Sequence, residues 1–177
     1  LGEEMQVSIQ EGESRNYLEY PSEFELVIID TSDTRFDRIH SFELSDLKSE
    51  VPFNQVTLQY LTYAPNAIIN QRGIENPKFN QLGQSFKLIS MPKTYKMSER
   101  NIPGLTLMVQ FKNQVDYYLL WGGSAIYQTV TIDNQQLLIK IRPKRRYLDF
   151  SIHLHDFIRN TYEKSDTARQ FMSKVSL

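Results

Sequence analysis

The sequence has 177 residues, of which 40% are hydrophobic and 23% charged, with a formal net charge of −1. A chain of this size can bury a hydrophobic core. Its balanced charge lacks the positive excess that attracts nucleic acids or anionic membranes, so we expect no nucleic-acid partner. The absence of cysteine excludes disulfides, thiolate zinc sites and a cysteine nucleophile.

Short alternating or apolar segments recur along the chain and predict β-strands. In chain order they begin at Met5, Phe24, Val56, Phe86, Leu105, Tyr117, Ala125, Leu137 and Phe150. Ten tyrosines and ten phenylalanines support this interpretation, because aromatic side chains suit half-buried pleated surfaces. We therefore predict an all-β fold, a sandwich or barrel of about ten short strands with little helix.

The connections between these strands are less regular. Asp133 and Asn134 lie between two predicted strands and predict a hairpin turn, since both residues tolerate positive φ. Segments 64–83 and 91–104 sustain no helical period and predict long loops with at most a helical turn. Segment 48–63 allows a short helix before its strand.

We expect residues 1–177 to form a single domain, and the abrupt ends of the sequence suggest a piece of a longer protein. The two ends of the chain resemble each other, which would fit duplicated β units near 5–47 and 128–177. Any two amphipathic strand pairs could share this pattern, so both explanations stay open. The first set of matching positions is Val7, Ile9, Phe24, Leu26, Ile28 and Asp30, and the second is Val130, Ile132, Phe150, Ile152, Leu154 and Asp156.

His153 and His155 are the candidate metal or haem ligands. Alternation in the predicted strand places Phe150, Ile152 and Leu154 on one face. The other face carries Ser151, both histidines and Phe157. A strand-borne His-x-His pair can chelate zinc or copper, but a site needs a further ligand, which would have to be His40 or Asp156. We therefore interpret the pair as the polar face of a strand and predict no metal site.

Other patterns favour structural roles over chemistry. The basic run 142–146 predicts a solvated turn rather than a nucleic-acid or lipid patch. Gly122-Gly123 predicts a turn or bulge, since it lacks the strand–glycine–helix setting of a nucleotide site. No pair of acidic residues is aimed by alternation into one cleft, and no G-x-S-x-G turn is present. The sequence therefore predicts no catalytic residues and no enzyme.

The segment 148–177, LDFSIHLHDFIRNTYEKSDTARQFMSKVSL, resembles the repeated phrase of ResB-type cytochrome c biogenesis proteins of System II. In that family a strand of the form L-P-F-S-I-x-L-x-D-F is followed by a tyrosine, a turn and F-x-S-x-V-x-L. Asp149 replaces the usual proline, and Glu163-Lys164 replaces the usual Pro-Gly. Segment 119–143 is similar to the family's lead-in. The matching positions are Leu148, Phe150, Ile152, Leu154, Asp156, Phe157, Tyr162, Phe171, Ser173, Val175 and Leu177.

This resemblance implies an extracytoplasmic, periplasmic domain of a protein anchored by membrane helices that lie outside this sequence. It implies a non-catalytic scaffold or chaperone for haem attachment to apocytochrome c, with a ResC-type haem-handling membrane protein or fused half as partner. Haem would be handled by the full complex, so no cofactor is expected on this part of the chain. The family's haem-handling histidines lie in membrane segments and a tryptophan-rich loop, and none can be carried over.

Two alternatives come from other classes of protein. One is an extracytoplasmic ligand- or glycan-binding β-sandwich that uses its many tyrosines, and exposed tyrosines around a groove would favour it. The other is a hydrolase whose carboxylates converge only in the folded chain.

Overall fold

The computed structural model describes residues 4–32, 39–44, 50–96, 99–161 and 168–177. Of these residues 66% are strand and 3% helix, which confirms the predicted all-β fold. The elements are β1 (Ser14–Asp30), β2 (Ile39–Glu43), β3 (Glu50–Phe53), β4 (Val56–Ala64), β5 (Ala67–Gln71), α1 (Leu82–Ser85), β6 (Phe86–Ser90), β7 (Gly104–Phe111), β8 (Gln114–Trp121), β9 (Gln128–Ile132), β10 (Gln135–Thr161) and β11 (Ala168–Ser176).

The strands form three sheets. A five-stranded sheet has the order β11-β10-β1-β2, with β9 paired to the first part of β10. A four-stranded sheet has the order β3-β4-β7-β8, and β5 and β6 form a separate hairpin. Many of these pairs join strands that are neighbours in the chain, as short hairpin connections require in antiparallel sheets.

One buried cluster joins the five-stranded and four-stranded sheets. Strand β7 shows why: its inward positions Leu105, Leu107, Val109 and Phe111 alternate with more exposed residues. They share the cluster with Leu26 and Ile28 of β1 and with Leu137, Ile139 and Ile141 of β10. Full burial of each such side chain contributes about 1.5–3 kcal/mol. A core shared by two sheets fits the predicted sandwich.

The chain divides into two compact units, Ser22–Lys144 and Leu1–Pro21 with Arg145–Leu177. The division falls inside β1 and inside β10, so both strands run from one unit into the other. The core cluster lies entirely in the Ser22–Lys144 unit. In the other unit Leu154 is the one buried hydrophobic residue among those described. The single domain 1–177 and its duplicated units stay predictions; residues 33–38 and 45–47 of the first copy lie outside the described residues.

Several sequence predictions of single elements are confirmed. Strands begin at or next to Val56, Phe86 and Leu105, as the alternating patterns predict. The Asp133-Asn134 turn joins β9 to β10 with Ile132 opposite Gln135, and Asp133 has a φ of 50°. The described part of 91–104 is a loop up to β7.

Other secondary-structure predictions made from the sequence are wrong. Segment 64–83 contains strand β5, whose Asn and Gln side chains are exposed while its backbone pairs with β6. Residues 50–63 form the β3–β4 hairpin instead of a helix, and residues 48–49 lie outside the described part. Segment 5–9 forms only an isolated bridge between Gln6 and Glu19. The runs that begin at Leu137 and Phe150 belong to one 27-residue strand, β10.

Candidate functional site

The candidate ligands His153 and His155 lie in β10 where it pairs with β11. His153 is opposite Ser176, and the register shifts between Leu154 and Asp156, so His155 is the extra residue of a β-bulge. The centroids of the two imidazole rings lie 4.5 Å apart, in an edge-to-face arrangement.

Each histidine has a serine hydroxyl as its neighbour. His153 Nδ1 lies 2.8 Å from Ser14 Oγ, and His155 Nε2 lies 2.8 Å from Ser176 Oγ. His40 packs its ring on Phe53 in the core-bearing unit. Among the described residues no three His, Cys, Asp or Glu side chains form a group that could hold a metal ion. The structure therefore brings the two predicted histidines together and adds no third ligand from the described part of the chain.

The bulge also changes which face Phe157 occupies. Strict alternation predicted Phe157 beside the histidines, and this prediction is wrong. Phe157 pairs with Ser173 and stacks on Phe171, with ring centroids 6.0 Å apart. It lines a shallow apolar groove with Ile152 and Leu154, because the extra residue at the bulge reverses the alternation that follows it.

Five of the residues that carry the ResB resemblance line the same groove at the β10–β11 hairpin, namely Ile152, Leu154, Phe157, Ser173 and Val175. Leu154 is opposite Val175, and Phe157 is opposite Ser173. The groove beside them, about 590 Å³, is also lined by Val7 and Ile9 of the N-terminal segment. Tyr162, Glu163 and Lys164 of the same phrase lie outside the described residues.

The basic run 142–146 is part of β10, so the predicted solvated turn is wrong. Arg142 Nε lies 2.7 Å from Glu25 Oε1 in a pair that is almost completely buried. Arg145 Nε lies 3.1 Å from Glu19 Oε1, and its guanidinium covers the Tyr17 ring. Glu25 and Glu19 of β1 pair with Arg142 and Arg145, while Lys144 contacts Glu23 of β1 and Glu43 of β2. These pairs allow the three cations to lie within a sheet.

The Ser22–Lys144 unit contains a cleft of about 570 Å³, which we call the tyrosine cleft. Its walls carry the aromatic residues Phe24, Tyr63 and Tyr95 and the prolines Pro65 and Pro103. Tyr63 is 47% exposed and Tyr95 is 90% exposed. Burial of part of its ring raises the pKa of Tyr63. Two acidic and two basic side chains complete the lining, namely Glu23, Glu43, Lys93 and Lys144.

The loop that carries Lys93 and Tyr95 is held by two asparagine side chains. Asn66 donates to the Pro92 carbonyl at 2.7 Å and accepts from the Ile102 N–H at 3.2 Å. Asn101 accepts from the Thr94 N–H and donates to the Thr94 carbonyl, both at 2.8 Å. These bonds connect the described parts of the loop to Asn66 and to each other.

Lys144 joins two carboxylates at the cleft. Its ammonium lies 3.0 Å from Glu23 Oε2 and 2.5 Å from Glu43 Oε1. The hydrogen bonds to Glu43 and then to Glu23 raise the pKa of Lys144. Alternation along single strands did not predict this acidic pair, because β1 and β2 meet only in the folded sheet. The hydrolase alternative thus has one converging carboxylate pair, with an ammonium between its members.

The tyrosine cleft was not predicted from the sequence. The signal available was the composition of segment 91–104, in which Lys93 and Tyr95 stand among prolines in a predicted loop. The residues of the opposite wall come from β1, β2 and β10, which are far apart in the chain.

No protein-family model matches the chain, and no curated protein matches it significantly. Within the part of the chain that the structure describes, no helix is long and apolar enough to cross a membrane.

Proposed function

We propose that this chain is the extracytoplasmic β-domain of a ResB-type cytochrome c maturation protein. Its function is non-catalytic: it serves as a scaffold or chaperone surface on the periplasmic side while haem is attached to apocytochrome c. Its partners are apocytochrome c and a ResC-type haem-handling membrane protein or fused half, and its membrane anchor lies outside this sequence. The full complex handles the haem.

The β10–β11 hairpin carries this proposal. The residues that resemble the ResB phrase are spread over 30 positions of sequence, and two pairs of them, Leu154 with Val175 and Phe157 with Ser173, lie opposite each other in β10 and β11. Phe157 stacks on Phe171, and Leu154 lies opposite Val175. These cross-strand contacts place apolar residues of the ResB-like segment together on the hairpin.

The edge of β11 is where we expect an unfolded apocytochrome to bind. An extended peptide can add to a free strand edge through backbone hydrogen bonds, with little demand on its sequence. Strand β11 ends its sheet, has nine residues, and no described strand pairs with its outer edge. Its exposed apolar side chains include Phe171, Met172 and Val175.

The other described edges are shorter or covered. Strands β2 and β3 have five and four residues, and β3 contains Pro52. The outer side of β8 is bridged by Phe79, and the Asn80 N–H donates to the Tyr117 carbonyl. The Gln81 carboxamide bonds both the N–H and the carbonyl of Thr129 and thereby covers β9.

The test is an NMR titration of the domain with a reduced synthetic peptide that spans the CXXCH motif of an apocytochrome c. At millimolar peptide we expect amide shifts concentrated in β11 and the adjoining part of β10. No shift at that concentration would remove the docking function.

Two variants distinguish peptide binding at the β11 edge from non-specific binding. Val175→Lys places a charge on the β11 edge and should weaken the shifts several-fold. Val115→Lys is the matched control, since Val115 is also an exposed valine on an edge strand, but one whose edge is covered. Equal effects of the two substitutions would contradict binding at β11.

A further inference from the structure

The geometry of the tyrosine cleft points to a second binding site: we propose that it binds a short, uncharged oligosaccharide. This inference does not rest on the proposed cytochrome-related function, because all lining residues belong to the Ser22–Lys144 unit and none to the segments 153–161 and 168–176 that pair in the β10–β11 hairpin. Either proposal can therefore fail alone.

The exposed aromatic rings give the first argument. Tyr95 is 90% exposed and sits on a loop that two asparagines hold in place, so water contacts nearly its whole ring. A single exposed tyrosine is ordinary, but Tyr63 and Phe24 border the same concavity. Aromatic faces around a hollow offer apolar surface to the C–H groups of a sugar ring, while the tyrosine hydroxyls can bond its oxygens.

The polar groups give the second argument. Lys144 binds one oxygen of Glu23 and one of Glu43, which holds both carboxylates in place and leaves the second oxygen of each to accept from a sugar hydroxyl. Lys93 has no ion pair among the described residues and supplies a donor on the facing loop. Fixed donors and acceptors beside apolar walls are the arrangement expected of a small-molecule site.

Charge and size select the class of ligand. Two carboxylates and two ammonium groups give the cleft no net charge, so it has no overall charge excess to attract a phosphate group or a basic peptide. A volume of about 570 Å³ lies in the usual range of ligand cavities. An uncharged molecule rich in hydroxyl groups and C–H faces meets each of these conditions.

The closest competitor is a proline-rich peptide in the polyproline II conformation, which also binds grooves lined with aromatic residues. Such peptides are usually specified by a charge on the peptide that pairs with an unpaired charge of the groove. Here Lys144 already pairs with both carboxylates, so a basic residue of such a peptide would find no unpaired carboxylate in the cleft, whereas Lys93 is able to donate to a sugar hydroxyl.

The experiment begins with a glycan array and continues with NMR titration of the whole chain by the best binder and by cellotriose, maltotriose and chitotriose. We expect at least one sugar to shift the amides of Tyr63, Tyr95 and their neighbours at millimolar concentration. Absence of binding to every glycan, or shifts produced by a proline-rich peptide and by no sugar, would overturn the proposal.

Matched variants locate the binding. Tyr95→Ala should weaken affinity about tenfold, which corresponds to 1.4 kcal/mol, and Tyr95→Phe should keep most of it because the ring remains. Tyr147→Ala is the control, since Tyr147 is also an exposed tyrosine, 55% accessible, outside the cleft. Equal affinities of Tyr95→Ala and Tyr147→Ala would overturn the proposal. Tyr95 is so exposed that its loss leaves the fold intact, which circular dichroism checks.

Discussion

Tyr60 is a strand residue whose hydroxyl is buried and has no hydrogen-bond partner among the described residues. A buried polar group without a partner costs about 1–3 kcal/mol of folding free energy. The same burial raises the pKa of Tyr60, since the anion is even harder to accommodate than the neutral hydroxyl.

Replacing Tyr60 by phenylalanine should therefore increase the free energy of unfolding, by about 1 kcal/mol. Urea denaturation followed by fluorescence measures it. Tyr118→Phe is the control, because the Tyr118 hydroxyl has a hydrogen bond with Asn80 and its removal should lower stability. If Tyr60→Phe is the more destabilising of the two, the hydroxyl has a partner in solution.

Tyr118 gives a prediction about pH. Burial, followed by the charge of Asp116, raises the pKa of Tyr118 from 10.0 to about 12. The unfolded chain then loses its proton at lower pH than the folded chain, so the stabilisation from this group is complete below pH 10 and is lost as pH rises to 12. Denaturation midpoints between these pH values should fall, and fall less in Tyr118→Phe; equal falls would refute this cause.

His153 and His155 yield a prediction about haem. Their ring nitrogens lie beside serine hydroxyls, and the described residues add no third ligand. Haemin titration followed by Soret absorbance should therefore show the same weak response in the wild type and in a His153→Ala/His155→Ala variant. A stoichiometric shift that the double variant loses would make this pair a haem site.

At the scale of elements, β1 and β10 are neighbours in the sheet and are linked by the buried pair of Glu25 and Arg142. The pair explains how a strand can carry the charged run 142–146. The sequence predicted a turn at 142–146 because a run of charged residues is usually exposed to solvent. Only the folded sheet shows which of these charges pair with acidic residues of a neighbouring strand.

Glu25→Gln should lower the free energy of unfolding by about 3–5 kcal/mol, because Arg142 would keep an uncompensated buried charge. Glu13→Gln is a matched control: Glu13 and Arg15 lie at the same 2.7 Å distance, but in a pair that is partly exposed to solvent. That change should cost less than about 1 kcal/mol. Similar losses in chemical denaturation would show that burial does not set the strength of the pair.

At the scale of the whole molecule, the two units differ in how much they bury. The Ser22–Lys144 unit holds the whole core cluster, whereas Leu154 is the one buried hydrophobic residue described in the other. Backbone hydrogen bonds open more readily in a region that buries few apolar side chains, because the opening exposes little apolar surface to water.

Hydrogen–deuterium exchange should therefore be slowest in β4, β7, β8 and residues 137–141, and clearly faster in residues 150–161 and in β11. Mass spectrometry of peptic peptides would show this as two classes of protection. Equal protection of the two sets of segments would contradict a difference in local stability between the two units. Added apocytochrome peptide should slow exchange in β11 if it binds there.

The sequence by itself determined the all-β class, most strand positions and the Asp133-Asn134 turn. These features depend on alternation and turn chemistry, which are local properties of the chain. The sequence also predicted that the two histidines are neighbours, because side chains two residues apart in a strand point to the same face.

Only the tertiary structure decided the rest. The bulge at His155 moved Phe157 to the apolar face, since register with β11 cannot be read from one strand. Glu25 and Arg142 lie far apart in the chain, and so do Glu23, Glu43 and Lys144, so the buried ion pair and the tyrosine cleft arise where strands meet. Contacts between distant residues depend on strand order, and alternation within each strand carries no information about that order.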